Sequence, residues 1–87
     1  GIKPLDLPAF EVYPNPANSQ LNISLENKAN TTQLTLHFFT IYGVEVKYCS
    51  IEENNHMDIS ELKGGLYILQ LYDSNQLIST KKLEVLR

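Results

Sequence analysis

Single-residue alternation is the strongest constraint in this chain. Residues 21–26 place Leu21, Ile23 and Leu25 in one phase and Asn22, Ser24 and Glu26 in the other. Successive side chains of a strand point to opposite faces, so this pattern predicts a half-buried strand. Residues 33–39 repeat it through Leu34, Leu36 and Phe38, and residues 44–51 follow with Val44, Val46 and Tyr48 on one side. Between those two runs, Gly43 can supply the positive φ that a hairpin turn needs. Residues 66–73 and 77–86 form a second pair, separated by Ser74, Asn75 and Gln76, which suits a tight reversal.

Short runs at residues 10–13 and 57–59 bring the total to about seven strands, and no segment has a clear helical period. The predicted fold is all-β, an immunoglobulin-like antiparallel β-sandwich, with a compact barrel as the structural alternative. Two details support the sandwich. Pro14, Asn15 and Pro16 cannot lie inside a central strand, because proline fixes φ and donates no N–H, so they punctuate two strands. Tyr67 follows Gly64 and Gly65 at the start of a strand, where a sandwich tyrosine turns its hydroxyl back to the backbone a few residues upstream.

With 87 residues and 43% apolar content the chain can form one domain with a modest core. Its net charge of −3 excludes a basic surface that would track phosphates, so nucleic acid is a poor partner. The single cysteine, Cys49, rules out an internal disulfide. The apolar runs are far too short to cross a bilayer, and the start of the chain has no signal-peptide pattern. Residues 1–9, with Pro4 and Pro8, read as a linker from something upstream, and residues 10–87 as the domain.

The inventory for catalysis is thin. His56, Asp58 and Ser60 share one strand phase and would not converge on an attack geometry, so they read as a polar loop. His37 falls opposite Leu36 and Phe38 in phase and reads as a solvent-side residue, and Cys49 as a plain small side chain. Residues 52–55, Glu-Glu-Asn-Asn, lack the glycine turn and ligand spacing of a calcium loop. The triplets at Asn22 and Asn30 match an N-glycosylation pattern that is frequent by chance. No cofactor, metal site or catalytic group is expected.

Four stretches in order, VYPNPANSQLNI, FTIYGVEV, MDISELKGGLYILQL and STKKLEV, resemble the C-terminal sorting domain of the type IX (Por) secretion system of Bacteroidota. The resemblance spans residues 10–87. In that family the proline-flanked asparagine, here Pro14, Asn15 and Pro16, marks the start of the domain and caps its first strand. Residues 40–46 are similar to the family hairpin, with Thr40 where aspartate is common and Val44 where a basic residue is common. Gly65, Leu66 and Tyr67 match the family GxY motif, with Lys63 where proline is frequent. Residues 80–85 resemble the terminal motif of lysines followed by apolar residues.

The resemblance implies a transport signal and not a catalyst. It implies folding in the periplasm at the end of a larger cargo, recognition by the outer-membrane translocon, and removal by a sortase-like cysteine protease cutting before Phe10. Cargo would then be released or joined to anionic lipopolysaccharide at the cell surface. Gly65, Tyr67, Lys81, Lys82, Leu83 and Val85 are the expected recognition residues, on a short, accessible final strand whose lysines supply positive charge. The alternative is that Lys81 and Lys82 only protect an edge strand from aggregation. Deleting residues 83–87 is expected to abolish export and leave a folded core. A second class of function, a fibronectin-like binding or adhesion module, would need an exposed aromatic patch, for which Phe39, Tyr42 and Tyr72 are the outward candidates.

Overall fold

A computed structural model describes residues 10–25, 33–51 and 56–87. Seven strands occur among them: β1 (Phe10–Tyr13), β2 (Gln20–Leu25), β3 (Leu34–Thr40), β4 (Glu45–Ile51), β5 (His56–Asp58), β6 (Gly65–Asp73) and β7 (Gln76–Val85). Each lies within one residue of its expected bounds, because turn chemistry and alternation fix the same limits. The loop at residues 52–55, the triplet at Asn30 and the expected linker at residues 1–9 fall outside the described residues.

The strands form two antiparallel sheets, one ordered β1-β2-β5 and the other β4-β3-β6-β7. Their apolar phases meet between the sheets. Phe10, Val12, Leu21 and Ile23 from the first face Leu34, Leu36, Phe38, Ile51, Leu69, Leu71, Leu83 and Val85 from the second, and all are buried. The all-β sandwich expected from alternation is therefore the observed architecture.

The β3–β4 hairpin turns through Gly43, whose φ of +86° is open to glycine at no steric cost. Thr40 reinforces it: its hydroxyl accepts from the backbone N–H groups of Tyr42 and Val44, each at 3.2 Å. A short polar side chain bonding its own backbone two residues on is what an aspartate would also do there, so the departure at Thr40 keeps the turn. At the β6–β7 reversal, Ser74 takes a φ of +57° and its N–H donates to the Gln33 carbonyl at 2.8 Å.

In β4 the apolar alternation runs against the core. Val44, Val46 and Tyr48 are exposed, while Lys47, Cys49 and Ile51 occupy the inward phase. A bulge opposite Phe38 and Phe39 in β3 adds one residue to β4 at this point. Inward, Lys47 Nζ meets Glu61 Oε2 at 2.7 Å across the open side of the sandwich, and the Cys49 thiol lies 3.3 Å from the Met57 sulfur.

Candidate functional site

Three of the four stretches singled out in sequence meet at the C-terminal end of β7, while the hairpin of residues 39–46 lies at the other edge of the sheet. After β1 the chain leaves the three-stranded sheet through Pro14, Asn15 and Pro16 and crosses to the other sheet. There Ala17 runs parallel to Val85 as an isolated bridge. The Ala17 N–H donates to the Glu84 carbonyl at 2.7 Å, and the Leu86 N–H donates to the Ala17 carbonyl at 2.8 Å.

Asn15 extends that pairing with its side chain. Its amide Nδ2 donates to the Lys82 carbonyl at 3.1 Å, and its Oδ1 accepts from the Glu84 N–H at 3.0 Å. One carboxamide presents a donor and an acceptor in the way a neighbouring strand would. Four outward backbone groups of β7, from Lys82 to Leu86, are thus satisfied by Asn15 and Ala17. The prolines are compatible with this because neither has to donate to a ladder.

The corner between β5 and β6 closes the same end from below. Tyr67 is buried and its hydroxyl donates to the Lys63 carbonyl at 2.6 Å, the bond expected of a sandwich tyrosine at this corner. Arg87 folds under the corner. Its Nη2 donates to the Ile59 carbonyl at 2.7 Å, its Nε to the Leu62 carbonyl at 2.9 Å, and its Nη1 to the backbone and side-chain oxygens of Asn18. A Cβ on Gly64 would lie 3.2 Å from both Cβ and Cγ of Arg87, so the missing side chain makes room for the arginine stem.

The expected recognition residues divide by burial. Leu83 and Val85 are core residues, and with Tyr67 they face inward. Gly65 is exposed at the start of β6, opposite Val85. Lys82 is exposed, whereas Lys81 turns toward β1, 5.9 Å over the Phe10 ring and 3.4 Å from Glu11 Oε2. The final strand is not short: at ten residues β7 is the longest of the described strands, and its end is covered. Deleting residues 83–87 would remove Leu83 and Val85 from the core along with the Arg87 bonds, so the expectation of an intact core after that deletion fails.

Arg87, Asn18, Ile59 and Leu62 were not singled out in sequence. An arginine following an alternating strand carries no pattern that identifies three carbonyls from distant loops as its partners. The Asn15 side-chain bonds are equally silent in sequence, because their partners lie 67 and 69 residues away.

Of the candidates set aside in sequence, Asp58 and Ser60 meet in a local turn. The Asp58 carboxylate accepts from the Ser60 N–H at 2.8 Å, and bonds to Ser60 hold it below the usual carboxylate range. His56 is exposed on the strand leading to it. Burial pushes the Cys49 thiol up, which leaves it protonated and unreactive near neutrality. Among the described residues no cluster of His, Cys, Asp and Glu could hold a metal ion, and no helix could cross a membrane.

The outer face of the four-stranded sheet carries a second feature. His37 bonds Glu45 through Nδ1 at 3.0 Å and Thr35 through Nε2 at 3.1 Å. Its ring stacks on Tyr48 at 5.6 Å and meets the edge of Tyr72 at 5.0 Å. A shallow pocket of about 210 Å³ lies beside it, lined by Phe39, Glu45, Tyr72, Ser74 and Asn75. Tyr42 projects freely from the hairpin tip, 87% exposed.

No protein of curated function matches this chain. The model of the secretion system C-terminal sorting domain matches residues 11–85, from β1 to the last residue of β7, and so includes the Asn15 contact with β7 and the Tyr67 corner. The chain belongs to the secretion system C-terminal sorting domain family, the sorting signals of type IX secretion.

Proposed function

We propose that residues 10–87 are read by the outer-membrane translocon of the type IX system as a folded unit, and that the covered end of β7 is the part that is read. The observation that carries this is the convergence of three of the family-like stretches on one strand end: Asn15 and Ala17 on β7, Tyr67 and Gly64 beneath it, Lys82 exposed beside it. On this reading Gly65 and Lys82 make direct contact with the machinery. Lys81 contributes charge at the rim, while Tyr67, Leu83 and Val85 act from inside by holding the strand in place. Lys82 is a cation in an acidic domain, which favours a partner surface with the opposite charge.

The same reading takes the upstream protein across the inner membrane to fold in the periplasm. Residues 1–9 form a linker to that cargo, cut before Phe10 by the associated sortase-like protease, after which the cargo is released or retained at the cell surface.

The test is to fuse residues 1–87 behind a periplasm-directed fluorescent reporter in a Bacteroidota strain with and without a working translocon. Export that requires the translocon and is lowered by Lys82→Glu supports the reading. Reporter retained in the periplasm of both strains, or export indifferent to Lys82, overturns it.

A second reading is favoured by one observation, the stacked cluster of His37, Phe39, Tyr48 and Tyr72 on the open sheet face, which suits a binding or adhesion module. Substituting Tyr48 and Tyr72 by serine would then abolish adhesion of the exported protein and leave export unchanged.

A further inference from the structure

The contact between Asn15, Ala17 and β7 has the form of a strand pairing in miniature. In an antiparallel ladder alternate residues turn both backbone groups toward the same neighbour. Lys82 and Glu84 turn theirs away from β6, toward Asn15 and Ala17. The register between β6 and β7 is unbroken from Gly65 opposite Val85 to Leu71 opposite Ser79, so Thr80 shares that orientation. β7 lies at the edge of its sheet, and among the described residues nothing pairs with the outward N–H and C=O of Thr80 or the outward N–H of Lys82.

Two adjacent stretches of one edge are thus in different states. One at Thr80 and Lys82 is open, and one from the Lys82 carbonyl to the Leu86 N–H is occupied by a substitute strand. The substitute is slight: one side-chain amide and one residue of backbone. A continuous strand from another molecule could make every bond that Asn15 and Ala17 make and add those at Thr80 and Lys82.

We propose that the outer edge of β7 from Thr80 to Leu86 is a strand-addition site. Its occupant is an extended, unpaired segment of a partner protein running antiparallel to β7, with a carboxylate opposite Lys82, and Asn15 and Ala17 hold the site closed until that segment displaces them. Attributing the partner to the export machinery rests on the sorting reading above; the pairing itself does not. Charge selects the register. Lys82 and Glu84 sit on the exposed outer phase of β7, two residues apart, with outward backbone groups. A segment with an acidic and a basic residue at the same spacing, reversed in direction, sets an opposite charge across from each. Cross-strand pairs of opposite charge stabilise a ladder and like pairs weaken it.

The sequence of β7 meets that requirement itself. In an antiparallel pair with the register of Lys82 opposite Glu84, both of its charges find a partner and both outward backbone sets are matched. A capped peptide copying residues 80–86, Thr-Lys-Lys-Leu-Glu-Val-Leu, is therefore a usable probe of the edge.

The experiment titrates this peptide into the isotopically labelled 87-residue chain and into its Asn15→Ala variant, following backbone amides by NMR. Removing the side-chain competitor is expected to tighten peptide binding about tenfold, since it frees two backbone groups of the edge. Shifts should centre on Thr80, Lys82, Glu84 and Leu86. The same peptide N-methylated at its Lys82 and Glu84 equivalents loses the donors facing β7 and should not bind. Asn15→Asp is the second variant, keeping an acceptor for the Glu84 N–H and losing the donor to the Lys82 carbonyl; it should bind with intermediate strength.

Unchanged affinity in both variants overturns the proposal, as does equal binding of the N-methylated peptide or shifts confined to the His37 and Tyr48 face. Native dispersion of the Leu69 and Leu71 amides reports that the variants remain folded. No translocon enters this measurement, so an export assay that fails leaves it standing. A peptide that fails to bind while export continues removes only the strand-addition site.

Discussion

The two edge strands of the four-stranded sheet solve one problem by opposite means. Among the described residues both β4 and β7 lack a neighbour on one side, and an unpaired row of N–H and C=O groups invites another chain to add. β4 discourages addition through its own residues: a bulge at Val46 breaks its regularity, and the inward Lys47 places a charge where a paired sheet would want an apolar side chain. β7 is regular over the stretch from Ser79 to Val85 and is covered from outside, by Asn15 and Ala17. A bulge is permanent, whereas a cover can be removed. Protection built into β4 leaves its outer face free for exposed Val46 and Tyr48, while protection lent to β7 ties the strand to chain nearly seventy residues away.

The comparison predicts its largest effect in the core. Leu83→Ala should destabilise the domain by about 3 kcal/mol, the cost of removing a fully buried leucine side chain and leaving a cavity. Val46→Thr on the exposed phase of β4 should change stability by less than about 0.5 kcal/mol. Urea denaturation of both variants measures the contrast. Equal losses would mean that the outer face of β4 is packed in solution by a second copy.

Next in size is the arginine lock. Arg87→Ala removes donors from the carbonyls of Ile59, Leu62 and Asn18, and a loss of about 1–2 kcal/mol is expected because the cluster is only partly buried. Gly64→Val should lose a similar amount by pushing the same stem aside. The double variant gives the sharper result. If the glycine serves only to seat the arginine, the two losses will not add, and a denaturant series on the four proteins will show a coupling close to the smaller loss.

The Asn15 cover is worth less to global stability and more to one amide. Asn15→Ala should cost about 1 kcal/mol and raise hydrogen exchange at Glu84, whose N–H bonds only the side chain. Leu86, held by the Ala17 backbone, should change less. Uniform acceleration along β7 would mean that the cover supports the strand as a whole.

Legibility in the sequence followed the range of the interaction. Alternation and turns are local, so Gly43 with Thr40, the reversal at Ser74 and the hydroxyl bond of Tyr67 could be expected from neighbouring residues. The phase of β4 misled, because Val44, Val46 and Tyr48 alternate as a core face would, and it takes the contacts of Lys47 with Glu61 and of Cys49 with Met57, with the burial of Ile51, to show which side is inward. The closed end of β7 was visible as motifs and invisible as an assembly. Asn15 and the lysines each stood out, but no spacing rule connects a carboxamide to backbone groups at the other end of a chain.

The smallest effect separates the two edges by charge. The bond from Lys47 holds the Glu61 carboxyl below the usual carboxylate range. A carboxyl whose pKa falls on folding adds stability that is fully present above its unfolded pKa and is lost as pH drops through the folded value. The pair therefore contributes at neutrality and disappears in acid, by less than about 1 kcal/mol because Glu61 is largely exposed. In Lys47→Met that part of the acid slope should vanish, while the part from Asp58, set mainly by Ser60, persists. Neutral-pH stability should hardly move, since a methionine fills the position without a desolvated ammonium. What should change is association: β4 without its inward charge should pair with itself, and sedimentation velocity should show dimers at concentrations where the parent chain is monomeric. A variant that loses the acid slope and stays monomeric would assign the protection of β4 to the bulge at Val46 alone.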